Sequence, residues 1–203
     1  MVMPAFASRH RWTDTEVRAL MEASPGHWPR YELMGGELIV TPAPRNIHQV
    51  AVTEILRALS EYVEPQGIGV ALVSPPDLRL LPGTIAQPDV FVAPPGGPPD
   101  PDDKSGWSAI KTLLMAVEVV SESSIRTDRV EKRDYYMSAG VPEYWVADCD
   151  ARVIERWNPE RETPSIVSTT LTWRPFGARE PLTLDVRRLY QRIWSQYQML
   201  TGR

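Results

Sequence analysis

Cysteine is nearly missing from this chain: Cys149 is the only one in 203 residues. A lone thiol excludes an internal disulfide and suits a reducing compartment. It also removes any Cys-x-x-Cys metal knuckle, and the three histidines, His10, His27 and His48, stand too far apart in sequence to replace one. No run of about 18 apolar residues occurs, which argues against a membrane-crossing helix. The opening stretch, residues 1–12, has no signal-peptide apolar core, so a cytoplasmic protein is expected. Positive charge is not in excess, since the net charge is −4. No overall field draws the chain to nucleic acid or membrane, and any such binding needs a local patch. There is no G-x-S-x-G, no glycine-rich phosphate loop, no dinucleotide fingerprint and no internal repeat.

What remains is an ordinary globular composition. With 42% apolar and 24% charged residues, the chain can bury one proper core, and 1–203 reads as a single domain with a core at about 25–190. Residues 1–12 read as a loose arm. Thr13 and Glu16 form a capping box that opens a helix to about Ala23. Tyr31–Met34, a Gly35-Gly36 turn and Glu37–Val40 read as a hairpin. Asn46 is expected to cap a helix running to about Glu64, with Val50, Ile55, Leu56, Leu59 and Val63 at helical spacing. Strands are expected over 69–74, 77–81 and 85–92, then a Pro/Gly/Asp insertion loop at 94–106, then a strand over 113–124. Asp128 and Glu131 suggest a second capping box, opening a helix that ends at Gly140. Strands over 143–148, 151–157 and 166–174, and a last helix over 187–199, complete an α/β (α+β) pattern with helices packed on a mixed sheet.

Two acids break the hydrophobic logic. Asp89 precedes Val90-Phe91-Val92, and Glu118 lies between Met115-Ala116-Val117 and Val119-Val120. An unpaired carboxylate in a buried strand costs several kcal/mol or changes protonation. Taken alone, Asp89 after Pro88 also fits a turn, and Glu118 also fits an ion pair with Arg79 or Arg126. A hard cation held between them would explain both at once, and carboxylates suit Mg²⁺ or Mn²⁺. Lys132 and Tyr136, four apart, project from one helix face, although the surrounding charges also read as a solvated face. Glu37 and His48 are candidates for the edge of such a site.

The order Pro88-Asp89, Glu118-Val119-Val120-Ser121, Asp128, Lys132, Tyr136 and Ala139-Gly140-Val141-Pro142-Glu143-Tyr144-Trp145 resembles the Uma2 family (DUF820). That family is a branch of the PD-(D/E)xK nuclease superfamily. The likeness starts at Tyr31-Glu32-Leu33 and Gly36-Glu37-Leu38, includes His48-Gln49 and runs to about Trp157. It implies a restriction-endonuclease-like mixed β-sheet core flanked by helices, preceded by the N-terminal helix and hairpin. It further implies catalytic Asp89, Glu118 and Lys132, with Asp89, Glu118 and the Val119 carbonyl holding a weakly bound Mg²⁺ or Mn²⁺. The superfamily usually carries its lysine two residues after the strand glutamate, where this chain has Val120. Lys132 on the following helix stands in for it, and Glu122 stands where proline is common.

The resulting expectation is a metal-dependent endonuclease hydrolysing DNA. The alternative is a non-cleaving nucleic-acid-binding or scaffold protein on the same fold. The C-terminal aromatics Tyr144, Trp145, Trp157, Trp173, Phe176, Tyr190, Trp194 and Tyr197 exceed what one core of this size is expected to hold. Aromatics are enriched at interfaces, so a homodimer is expected.

Overall fold

Glu118 lies in an interior strand of a six-stranded sheet, and Asp89 immediately precedes the antiparallel neighbour of that strand. The computed structural model describes residues 10–24, 26, 28–74, 77–96, 106–121 and 124–202. Most of the expected arm and insertion loop, together with His27 and Glu122, lies outside these residues.

Helix α1 (Asp14–Ala23) begins with the expected capping box. The Glu16 N–H donates to Thr13 Oγ1 at 3.3 Å, and the Thr13 N–H donates to Glu16 Oε2 at 2.8 Å. Strands β1 (Arg30–Met34) and β2 (Glu37–Thr41) pair antiparallel. Gly35 and Gly36 supply φ of 58° and 81° at the turn, the double left-handed step of a type I′ hairpin. Helix α2 (Asn46–Val63) starts one residue earlier than anticipated. Arg45 occupies the N-cap position with no side-chain bond, so Asn46 does not cap it.

The main sheet has the order β3 (Val70–Val73), β4 (Val90–Ala93), β5 (Met115–Val119), β6 (Tyr144–Asp148), β7 (Val153–Trp157), β8 (Ser165–Val167). Only β5 and β6 run parallel; the other neighbours are antiparallel. The parallel crossover needs a connecting segment, and it is supplied by a π-helical turn (Thr127–Lys132) continuing into α3 (Arg133–Ser138). This π turn replaces the expected second capping box. Its preceding residue, Arg126, is already helical, and Asp128 is buried. Gly140 ends the helix with φ 73°, as its lack of a Cβ allows.

Two cores form on opposite faces. On one, α2 and α4 (Val186–Thr201) press Ile55, Leu59, Leu189 and Ile193 onto Val90, Val92, Met115, Val117 and Val119. On the other, Phe91, Ala116, Tyr136, Tyr144 and Val146 pack together. The strict alternation along β4 and β5 explains both lists, since successive side chains leave a strand on opposite faces. The chain enters β3 so closely that a Cβ at Gly69 would sit 2.6 Å from the Ala93 carbonyl oxygen.

Three further expectations change. Residues 77–81 and 85–86 make isolated bridges, Leu78 to Ala86 and Ile85 to Leu33, and β4 begins only at Val90. The segment 166–174 divides between β8 and β9 (Thr170–Trp173), and β9 pairs with β10 (Leu182–Asp185) in a separate two-stranded ribbon. The aromatic surplus disappears into the core: Tyr144, Trp145, Trp157, Trp173 and Tyr190 are all buried, and only Phe176 is fully open to solvent, at 97%. The aromatic argument for a dimer therefore does not hold. No helix among the described residues is long and apolar enough to cross a membrane.

Candidate active site

The antiparallel partner of β5 runs out at Val90, and the pocket lies at that end. Val90 pairs with Val117, so beyond it the β4-facing backbone groups of Val119 lack a ladder partner. Asp89 fills the gap: its Oδ2 accepts the Val119 N–H at 2.9 Å. In a strand, the N–H and C=O of one residue point to the same side. The Val119 carbonyl therefore faces the same opening. The cavity beyond has a volume of about 260 Å³ and is lined by β1, the 41–45 loop, His48, Asp89, β5 and the π turn.

Asp89 receives two more donors. Arg30 Nη1 donates to Oδ1 at 2.9 Å, and His48 Nε2 lies 3.0 Å from Oδ2. Burial alone would raise this carboxyl, but the charges of His48, Lys132 and Arg30 hold it well below the usual carboxylate range. It is ionised, so His48 Nε2 is the donor of that bond.

Glu118 leaves the opposite face of β5 from Val117 and Val119. Its Oε1 accepts from Lys132 Nζ at 3.0 Å and from the Tyr136 hydroxyl at 3.2 Å. Neither arginine considered as its partner from sequence reaches it: Arg79 pairs with Asp14 and Arg126 with Glu131. Burial, then the neighbouring Asp89, Asp128 and Glu32 charges, push Glu118 well up, against the pull of Lys132.

Lys132 is 4% exposed and sits among carboxylates, 2.9 Å from Glu32 Oε2 and 3.9 Å from Asp128 Oδ1. Burial disfavours its charge, yet the surrounding acids raise its pKa well above the ordinary value. It is an ammonium at neutral pH. The π turn matters here: its wider winding sets Asp128 and Lys132 on the same inner face, and such turns recur at functional sites.

The structure thus brings together Asp89, Glu118, Val119, Lys132, His48 and Tyr136. Glu37 is not among them; it is exposed at the start of β2, outside the pocket wall. The hairpin acid that enters the pocket is Glu32, 1% exposed, which also accepts the Gln87 N–H at 2.8 Å. Arg30 and Asp128 are the other pocket residues that sequence reasoning missed. Glu32 had a readable signal, an acid inside the apolar run Tyr31-Glu32-Leu33-Met34, the same clue that marks Glu118.

Among the described residues, no three His, Cys, Asp or Glu side chains form a ready-made metal cluster. The donor set still fits a hard divalent cation. Four acids, Glu32, Asp89, Glu118 and Asp128, face Lys132, Arg30 and His48, with Arg45 exposed at the rim. Burial first, and then the neighbouring acids, raise the Glu118 and Asp128 carboxyls against the pull of Lys132.

A mixed sheet with one parallel pair and an acid–acid–lysine pocket at its strand ends defines a restriction-endonuclease-like α/β protein. The chain belongs to the Uma2 family, described as "Putative restriction endonuclease", which matches residues 18–185. No curated protein matches it. Among solved structures it is similar to a protein from Anabaena variabilis ATCC 29413 titled a "putative nuclease belonging to DUF820". The two share 21% identity with a TM-score of 0.71, over 89% of this chain and 98% of the other. At that identity the likeness carries the fold alone.

Proposed function

We propose that this pocket hydrolyses DNA phosphodiester bonds with the help of a divalent metal ion, Mg²⁺ or Mn²⁺. The observation that carries the reading is the meeting of Asp89, Glu118 and Lys132 in a pocket that crowds four buried acids together. Asp89, Glu118 and the Val119 carbonyl would hold the ion. With only two strong ligands, binding would be weak. When bound, such an ion polarises the phosphate and lowers the pKa of an attacking water.

The chain's own groups do the rest. Lys132 presents a fixed ammonium where negative charge grows on phosphorus, held in place by Glu32 and Glu118. Tyr136 stays neutral, because burial and then Glu118 raise its pKa, so it donates to Glu118 and fixes that carboxylate. His48 orients Asp89 from the other side. We treat 1–203 as one nuclease-like domain, since a single sheet carries both acids. Cutting both strands of a duplex would call for two pockets, and hence a homodimer, readable by light scattering at micromolar concentration. Such a substrate, and the single thiol, suit the cytoplasm.

One observation favours the non-cleaving alternative: both Asp89 oxygens already receive donors. A titration of Mg²⁺ and Mn²⁺ against supercoiled plasmid, single-stranded DNA and RNA separates the readings. Metal-dependent nicking of plasmid, lost in Asp89→Asn and Glu118→Gln, is expected. No hydrolysis of any substrate with either metal would move the non-cleaving reading to the front.

A further inference from the structure

Arg30 is placed to do two jobs that exclude each other. It is the first residue of β1, with its side chain 14% exposed. Its Nη1 bonds Asp89 Oδ1, and its guanidinium carbon lies 4.5 Å from the centre of the Trp28 ring. Both residues line the mouth of the cavity together with the 42–45 loop. Oδ2 of Asp89 is committed to the Val119 backbone and His48. Oδ1 is therefore the side of the carboxylate on which Arg30 and a cation would compete.

We propose that Arg30 is a phosphate-positioning residue that guards Asp89 Oδ1 until a divalent cation takes that oxygen, and then turns to the substrate phosphate. The proposal rests on the nuclease reading above. Its physics is direct. A guanidinium beside the carboxylate repels an incoming cation and occupies its lone pairs. Once displaced, the guanidinium cannot remain in the pocket's mouth unpaired at low cost. A phosphodiester oxygen pair matches its planar fork. The Trp28 face gives it a platform on which to pivot without losing all its partners, since arginine stacks well on indole. Lys132 is held inside the pocket by Glu32, Glu118 and Asp128, where the reacting phosphorus would lie, so the part played at the mouth falls to Arg30.

The test compares wild type with Arg30→Gln and Arg30→Lys, using Mn²⁺ binding by electron paramagnetic resonance and binding of a labelled DNA duplex by fluorescence anisotropy. Circular dichroism checks the fold of each. Arg30→Gln should bind Mn²⁺ roughly tenfold more tightly, because a neighbouring charge of this kind shifts a carboxylate by about a unit or more. In Ca²⁺, a hard cation used here to hold the site, it should bind duplex roughly tenfold more weakly, the loss of one charge-assisted bond. In EDTA the two proteins should bind duplex alike, since Arg30 is then engaged with Asp89. Arg30→Lys should recover part of the Ca²⁺-dependent duplex binding. Trp28→Ala should change both readouts in the same directions by less. A merely structural Arg30–Asp89 pair would lower the unfolding temperature and leave Mn²⁺ affinity unchanged or weaker, which overturns the proposal. If wild type binds and cuts duplex while Arg30→Gln matches it in both assays, only the role of Arg30 falls. If wild type binds neither Mn²⁺ nor duplex, the nuclease reading and this proposal fall together.

Discussion

Glu54 and the pocket acids are buried alike, yet they are handled in opposite ways. Glu54, on α2, is fully buried. Arg192 Nε donates to its Oε2 at 2.7 Å, Gln196 Nε2 donates to its Oε1 at 2.7 Å, and Arg57 donates to the same Oε1. Burial raises its pKa, but the amide and the two arginines win, and the net shift is downward. Those arginines are about half exposed, at 51% and 42%, so the counter-charge stays hydrated. In the pocket, four acids share Lys132, Arg30 and His48, all largely enclosed, with Arg45 exposed at the rim. There Glu118 and Asp128 move upward. Burial of an acid is thus not the mark of a working site. The surroundings are: half-exposed arginines and an amide satisfy one acid that ties α2 to α4, whereas the pocket crowds several acids where burial and like charge raise them.

The strongest way to break this contrast is Lys132→Met. If Lys132 stabilises the transition state, single-turnover plasmid nicking should fall by roughly 10²–10³-fold or more, with the circular dichroism spectrum retained at pH 6. Near-normal cutting by this variant would remove the lysine from the mechanism. Next in size is the paired comparison of Glu118→Gln and Glu54→Ala. Glu118→Gln should abolish nicking while leaving stability equal or higher, because it removes surplus buried charge. Glu54→Ala should leave nicking within about twofold but cost about 1–3 kcal/mol in urea unfolding, through lost bonds and packing. Equal destabilisation by both would show that the pocket acids are as well matched as Glu54.

The same contrast explains what the sequence could and could not reveal. An acid inside an apolar strand is visible in one dimension, and Glu118 stood out for that reason. Asp89 was visible by its place beside Val90-Phe91-Val92. Lys132 was found by family likeness, since its charged surroundings look like solvated helix; only the fold encloses them, by turning Glu32 of β1 inward against Nζ. Glu37 is named at the site's edge and Glu32 is not considered, because a hairpin's inner face depends on which sheet it lies against. Here it is Leu33 that bridges to Ile85 and fixes that choice. Asp128 looked like an N-cap, the usual role for aspartate before a helix. The π winding that buries it has no local signature in Thr127–Lys132. Alternation along β4 and β5 accounts for the two cores once the strands are placed, but the strand order was not legible in the sequence, because it and the split of 166–174 into two sheets depend on long-range packing.

The smallest expected effect is also the most discriminating, and it lies in pH dependence. Burial, reinforced by Asp89 and Glu32 and opposed by Lys132 and a Ser124 bond, pushes the Asp128 carboxyl from 3.8 up to about 6. The folded chain therefore holds a proton that the unfolded chain has already released across that window. Stability contributed by this group is full below about 3.8 and is lost as pH rises through 6. Asp128→Asn removes the titration. The variant should match wild type near pH 4 and melt a few degrees higher at pH 7. Glu54→Gln supplies the opposite sign. Its carboxyl is depressed in the fold, so wild type gains stability above the ordinary carboxylate range and loses it as pH falls. That variant should melt below wild type at pH 7 and approach it in acid. Thermal scans from pH 4 to 8 would therefore give two difference curves of opposite slope. Parallel curves would mean that Asp128 is as fully compensated as Glu54, and the burial and crowding of acids assigned to the pocket would be wrong.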